Sequence, residues 1–180
     1  MTTGETPTIL VVDDDEAVAD VYASQLSSTY RVLTAYDGET ALEQVTGDVD
    51  IVLLDRRMHG LSGREVLEAI RDRDLDCGVV MVTAVDPGFD IVDMGFDDYL
   101  LKPVKQAELE GTVRETLDRL GKQTVVREYL SLASKVSALR VEKNPAELED
   151  SEEYQRLAER LRELETEVDE TERVETPIDS

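Results

Sequence analysis

Apolar residues follow two rhythms along this chain of 180 residues. Up to about residue 121, short runs rich in valine, isoleucine and leucine recur: TILVV (8–12), YRVLT (30–34), DIVLL (50–54), GVVMVT (78–83) and DYLL (98–101). A run apolar at successive positions has no wet face, which suits a strand covered on both sides, as in a parallel sheet. Segments of helical period lie between the runs, at roughly 15–27, 38–46, 63–73, 88–95 and 105–120. The fourth has the weakest pattern, because DPGFDIVDMGF contains two glycines. The alternation predicts an α/β domain over residues 7–121, with a five-stranded parallel sheet doubly wound by helices.

Beyond Gly121 the strand-like runs stop and apolar residues fall four and three apart. Val125, Tyr129, Leu132, Val136 and Leu139 form one stripe, and Tyr154, Leu157, Leu161, Leu164 and Val168 another. Each stripe would line one helix face. KNPAELEDSEEY separates them, with Asn144 as N-cap, Pro145 at the first helical position and Glu147 completing a capping box. The pattern predicts an α-helical hairpin over 122–171, either two antiparallel helices or a coiled-coil pair, followed by a disordered tail over 172–180. Each stripe is only about two heptads long, so the hairpin is expected to need the α/β domain or a second copy for stability.

Charge narrows the partners. Nineteen basic against 42 acidic side chains give a formal charge of −23, which argues against general affinity for nucleic acid or anionic membranes. Only five of the basic residues are lysine, and the acid is spread along the whole chain. That surface suits a salt-rich cytoplasm, with plain solubilising charge as the alternative. Cys77 is the only cysteine, so no intrachain disulfide is possible and a reducing interior is the natural setting. No apolar run approaches the ~20 residues that span a bilayer, and a cytoplasmic protein is expected.

The candidate chemistry lies at the carboxyl ends of the predicted strands, where open parallel sheets bind ligands. Asp13 and Asp14 end the first run, Asp55 the third and Thr83 the fourth, and Lys102 follows the fifth. If the first, third and fourth strands are neighbours, these groups converge. Clustered carboxylates expect a cation, and oxygen donors with room for water suit Mg²⁺. Asp55 would also have a lysine and a hydroxyl in reach, more than metal binding requires. A carboxylate so placed can accept a phosphoryl group, with the cation, Lys102 and Thr83 offsetting charge on its oxygens.

ILVVDDDE, LLDRRMHGLSG, MVTA and YLLKP, in this order and spacing, resemble the receiver domain of two-component response regulators, a CheY-like, flavodoxin-like fold. The resemblance covers about residues 7–121. It implies that Asp55 is the phosphoacceptor, that Asp13, Asp14, Asp55 and the backbone carbonyl of Arg57 hold Mg²⁺, and that Thr83 and Lys102 contact the phosphoryl group. It further implies a switch in which Thr83 and Tyr99 move inward, and a cis Lys102–Pro103 bond. A sensor histidine kinase is the implied partner, and the chain would be a phosphoacceptor assisting its own chemistry rather than an enzyme. The family usually has proline where this chain has His59, so the loop geometry cannot be carried over. His59 is expected to be a solvated side chain, neither phosphodonor nor metal ligand. Arg57 is expected to be exposed, and Asp15 and Glu16 to belong to the first turn of a helix, favoured there by its dipole.

REYLSLASKVSALRVEKN and SEEYQRLAERLRELE resemble the HalX domain found behind receivers in haloarchaea. Core packing, homodimerisation and partner docking are the roles open to it. A homodimer could instead use the face of the fourth helix, fifth strand and fifth helix. Direct DNA contact is disfavoured, because residues 122–180 carry 9 basic and 16 acidic side chains, a net of −7, with no basic stripe. A competing function is a phosphatase of the haloacid dehalogenase type, with Asp13 as nucleophile and Asp15 completing a DxD motif; it leaves Asp55 without work.

Overall fold

The computed structural model describes residues 5–122 and 124–175. They form two compact units: one holds the chain up to Asp86 and Met94–Gly121, the other Pro87–Asp93 with the chain from Lys122 onward.

The first unit is a doubly wound α/β domain. Its strands are β1 (Thr8–Val12), β2 (Arg31–Ala35), β3 (Ile51–Leu54), β4 (Gly78–Thr83) and β5 (Asp98–Leu101). All pair in parallel, in the order β2-β1-β3-β4-β5. β1 is buried along its whole length, as are β3 and β4, which is why their sequences read as unbroken apolar runs. The helices are α1 (Glu16–Leu26), α2 (Gly38–Gln44), α3 (Gly63–Asp72) and α4 (Gln106–Leu120). Ile9, Val11, Ile51, Leu53, Val80 and Val82 face one side of the sheet and pack with Ala19, Tyr22 and Leu26 of α1 and Leu109 and Val113 of α4. By the two-residue alternation of strands, Leu10, Val12, Val52 and Leu54 face the other side. α3 buries Val66, Leu67 and Ile70. The central position of β1, between β2 and β3, and of β3, between β1 and β4, brings the ends of β1, β3 and β4 side by side.

The segment expected as a helix over 88–95 is instead a 3-10 turn, Phe89–Asp93. Pro87 offers no backbone N–H, and Gly88 and Gly95 bracket a stretch too short to build and hold α-helical turns. The homodimer face expected to include this element therefore lacks its α-helix. The segment itself belongs to the second unit.

That second unit consists of the turn with three helices, α5 (Thr124–Glu142), α6 (Pro145–Asp150) and α7 (Glu152–Glu175). The hairpin was expected to end at 171, but α7 continues through Glu175; the rest of the expected tail, 176–180, lies outside the described residues. α5 and α7 run antiparallel, because Arg140 Nε donates to the Tyr154 hydroxyl at 3.0 Å while Arg160 Nε donates to Glu128 at 3.2 Å. Tyr154, Leu157, Leu164 and Val168 of α7 are buried, with Val136 and Leu139 of α5. Val125, Tyr129 and Leu132, expected on the same α5 stripe, are half-buried. The capping box is present: Glu147 N–H donates to Asn144 Oδ1 at 3.0 Å and Asn144 N–H to Glu147 Oε2 at 2.9 Å.

Lys135 is the unexpected element of this unit. It is buried, and its Nζ donates to the Val92 carbonyl at the end of the 3-10 turn, at 3.3 Å. Lys143 Nζ lies 5.5 Å above the ring centre of Phe89 at the start of the turn. Ile91, between these two anchors, is fully buried. Among the described residues no helix is long and apolar enough to cross a membrane.

Candidate functional site

Each strand end delivers one part of an acidic pocket. Asp13 follows β1 and is buried to 2% exposure, and its backbone N–H still donates to the Ala35 carbonyl of β2. Asp55 follows β3 at 8% exposure, with its N–H on the Val12 carbonyl. Thr83 closes β4 at 1% exposure. These last ladder bonds fix the backbone beneath each side chain before any ligand arrives. One carboxylate oxygen from each of Asp13, Asp14 and Asp55 falls within 4.8 Å of the others. Lys102, one residue past β5, reaches in from the side: its Nζ donates to Asp13 Oδ2 at 2.5 Å and to Asp55 Oδ2 at 3.3 Å. The Lys102–Pro103 bond is cis, as the family resemblance implied.

The charges do not balance. Three carboxylates meet here, and the Lys102 ammonium is bonded to two of them. Burial lifts the Asp13 carboxyl above its ordinary range, and the neighbouring Asp55 charge adds to the lift. Lys102 and the Asp15 N–H pull the other way without prevailing. Burial would lower Lys102, but its bond to Asp13 and the charges of Asp55 and Asp13 raise it. Both partners of this ion pair move upward, Asp13 chiefly through burial and Lys102 through its two carboxylate partners. The donor set is all oxygen, with no thiolate, and fits a hard divalent cation that keeps part of its water.

The loop from β3 to α3 is folded tightly against the phosphoacceptor candidate. Gly63 N–H donates to the Arg56 carbonyl at 2.9 Å, and a Cβ at Gly63 would stand 2.1 Å from the Asp55 carbonyl oxygen. Gly60 adopts a left-handed φ of 77°. Arg57 N–H points back at Asp55 Oδ1, at 3.4 Å, and the Arg57 side chain is exposed, as expected. His59 is exposed too, but not merely solvated: its backbone N–H and its ring Nδ1 both meet Asp14 Oδ2, at 3.2 and 2.7 Å. Slight burial pushes Asp14 up, yet the His59 contacts outweigh it and hold the carboxyl below its usual range. Nothing in the sequence signalled this pairing, since the two residues are 45 positions apart.

On the β4 side Val85 is tied at both ends of its backbone. Its N–H donates to Thr83 Oγ1 at 3.2 Å and its carbonyl accepts the Tyr99 hydroxyl at 2.5 Å. Tyr99 is buried, and burial raises its phenol above the ordinary value. The two residues expected to form a switch are therefore connected through one residue. Asp15 is not in the pocket: it caps α1, with Oδ1 accepting from Ala17 and Val18 N–H. Glu16 sits in the first turn of α1. A phosphatase built on Asp13 and Asp15 is thereby deprived of its second carboxylate.

A parallel sheet in this strand order, with an aspartate cluster and a lysine at its carboxyl end, defines a receiver-type α/β protein. Residues 9–114 match the model of the response regulator receiver domain and residues 118–175 that of the HalX domain. The chain belongs to the response regulator receiver family, with a HalX domain behind the receiver. A Haloferax volcanii protein named as a candidate transcriptional regulator is 52% identical over 132 residues, 73% of this chain and 23% of that protein. The alkaline phosphatase synthesis transcriptional regulatory protein PhoP of Bacillus subtilis is 39% identical over 116 residues, 62% of this chain and 48% of its own length. The chain thus spans half or less of these relatives. Among solved structures, a CheY-like receiver from Methanospirillum hungatei aligns at TM-score 0.61 with 26% identity, over 64% of this chain and 97% of that one. The response regulator TrrA of Thermotoga maritima, solved in complex with Mg²⁺ and BeF, aligns at 0.55 with 32% identity, over 61% and 98%.

Proposed function

We propose that this chain is the response regulator of a cytoplasmic two-component phosphorelay, taking a phosphoryl group onto Asp55 from the phosphohistidine of a sensor kinase. The observation that carries the reading is the meeting of three carboxylates within 4.8 Å, with the Lys102 ammonium on two of them. An Asp55 oxygen attacks phosphorus in line; the bond from phosphorus to the donor imidazole breaks as the acyl phosphate bond forms. Asp13, Asp14, Asp55 and the Arg57 carbonyl are the groups that would hold Mg²⁺. Bound there, the ion offsets charge on the phosphoryl oxygens. The Lys102 ammonium leaves its carboxylates to pair with one phosphoryl oxygen, and the Thr83 hydroxyl donates its proton to another.

Thr83 cannot shift toward a phosphoryl oxygen without disturbing Val85, whose N–H it accepts and whose carbonyl Tyr99 holds. Two residues on, at Pro87, the chain enters the second unit, where Lys135 and Lys143 hold the turn over 89–93. The output accordingly runs along the chain from Thr83 into the helical unit, which acts on partners as a dimerisation or docking module. Relatives named as transcriptional regulators support a role in transcription. The net charge of −7 from residue 122 onward argues for a protein partner rather than direct DNA contact. Acetyl phosphate with Mg²⁺ should add one phosphoryl mass to the chain, and Asp55→Asn should abolish it. Mg²⁺-dependent labelling that survives in the asparagine variant would refute the assignment.

A further inference from the structure

His59 makes two bonds that a proline at this position could not make with its own backbone or side chain. Its N–H and its ring Nδ1 converge on one oxygen, Asp14 Oδ2. The imidazole itself lies in solvent, but the backbone donor is held in place. The loop that carries them is pinned at one end by β3 and at the other by Gly63, whose N–H closes onto the Arg56 carbonyl. Gly60, next to His59, takes the left-handed conformation that turns the chain. Asp14 itself is less enclosed than its neighbours, its side chain 23% exposed against 2% for Asp13. Lys102 orients Asp13 and Asp55, but its bonds do not extend to Asp14. A carboxylate so exposed would turn about its side-chain torsions, at an entropic cost when a ligand arrests it.

We propose that His59 is a positioning residue for the cation site: it fixes the Asp14 carboxylate by Oδ2 and leaves Oδ1 to face the ion or its water. The inference rests on the reading of Asp14 as a cation-binding carboxylate. The hydrogen bonds are also selective in geometry. Asparagine at position 59 can offer an amide N–H close to where the imidazole Nδ1 stands, whereas alanine keeps only the backbone donor and proline keeps neither.

The test is calorimetric titration of the full chain with MgCl₂ in molar KCl at fixed pH 8, for the native protein and His59→Ala, His59→Asn and His59→Pro. Loss of one net hydrogen bond corresponds to about a threefold weaker Kd and loss of both to about tenfold. The expected order of affinity is native, then the asparagine variant close behind, then alanine, then proline. The Mg²⁺ concentration giving half-maximal acetyl phosphate labelling should move by the same factors. Alanine binding as tightly as the native chain, or more tightly, overturns the proposal while the pocket reading stands. An asparagine variant no better than alanine overturns it also, because the loss would then not be that of a donor. If the native chain itself takes up no Mg²⁺, the pocket reading fails and this inference falls with it.

Discussion

The acidic end of the receiver sheet and the helical unit both bury charge, and they do so in opposite ways. At that end of the sheet Asp13 and Asp55 are buried beside Asp14 and share the Lys102 ammonium, so three carboxylates stand against one bonded ammonium among the described residues. In the helical unit the buried charge is a cation, Lys135, and its ammonium donates to the Val92 carbonyl. A surplus of one sign in a low-dielectric pocket is unfavourable until a counter-charge arrives. A buried ammonium on a carbonyl is instead partly satisfied by what is already folded. The first arrangement is organised around something to be added, and the second around holding a segment that arrives from the other unit's chain. Variants that act on one unit and spare the other test whether the two arrangements are as separate as this contrast holds.

The largest effect should come from Gly63→Ala. The added Cβ would meet the Asp55 carbonyl oxygen at 2.1 Å and the Arg56 Cα at 2.8 Å, and both are backbone atoms that cannot rotate away. Either α3 lifts from the loop or the peptide under Asp55 shifts. Overpacking of this kind costs about 3 kcal/mol, and Mg²⁺-dependent labelling of Asp55 should fall sharply. Denaturation followed by circular dichroism in molar KCl, beside a labelling assay, measures both. Unchanged labelling would mean that the loop and the phosphoacceptor are not mechanically joined.

The receiver was legible in the sequence because chemistry and burial constrained the same short runs. Strands covered on both faces must be apolar throughout, so β1, β3 and β4 stood out with almost their observed bounds. The pocket followed, since Asp13 and Asp55 sit directly after such a run, Thr83 ends another, and Lys102 follows the fifth run. What escaped depended on the path of a loop. His59 meets Asp14 across 45 residues, and no local pattern encodes that meeting. Lys135 falls at helical spacing among the stripe residues Leu132, Val136 and Leu139, but nothing in the sequence shows that the Val92 carbonyl lies beside it. The turn at Phe89–Asp93 reads as a poor helix because its flanking proline and glycines spoil the period, and its place with the distant helices has no sequence signature at all.

Lys135→Met sharpens the contrast from the other side. Methionine fills much the same volume and removes the ammonium, so it separates the hydrogen bond from packing. A lost charged bond is offset in part because a buried charge is also removed; about 1 kcal/mol of destabilisation is the expected net. The diagnostic readout is local. Backbone amides over Phe89–Asp93 should exchange with deuterium faster while those of β1, β3 and β4 keep their protection. Equal loss of protection in the strands would dissolve the distinction between the units.

The smallest effect, and the one confined most strictly to the helical unit, belongs to Asn144→Ala. α6 has six residues, none of them buried, so packing does little to hold it and its ends decide whether it forms. Asn144 satisfies the Glu147 N–H, and Glu147 returns the bond to the Asn144 N–H. Alanine removes the first bond and leaves the second without its reciprocal partner, a change of about 1 kcal/mol. The loss should persist in molar KCl, because the cap is a short hydrogen bond to backbone rather than an ion pair. The exposed Arg160 pairs with Glu128 and Glu163 are screened there and contribute little. Labelling of Asp55 should be unaltered, since both hydrogen bonds of the cap lie within the helical unit. A drop in labelling would mean that the order of α6 reaches back along the chain to the phosphoacceptor, and that the helical unit constrains the receiver even before phosphorylation.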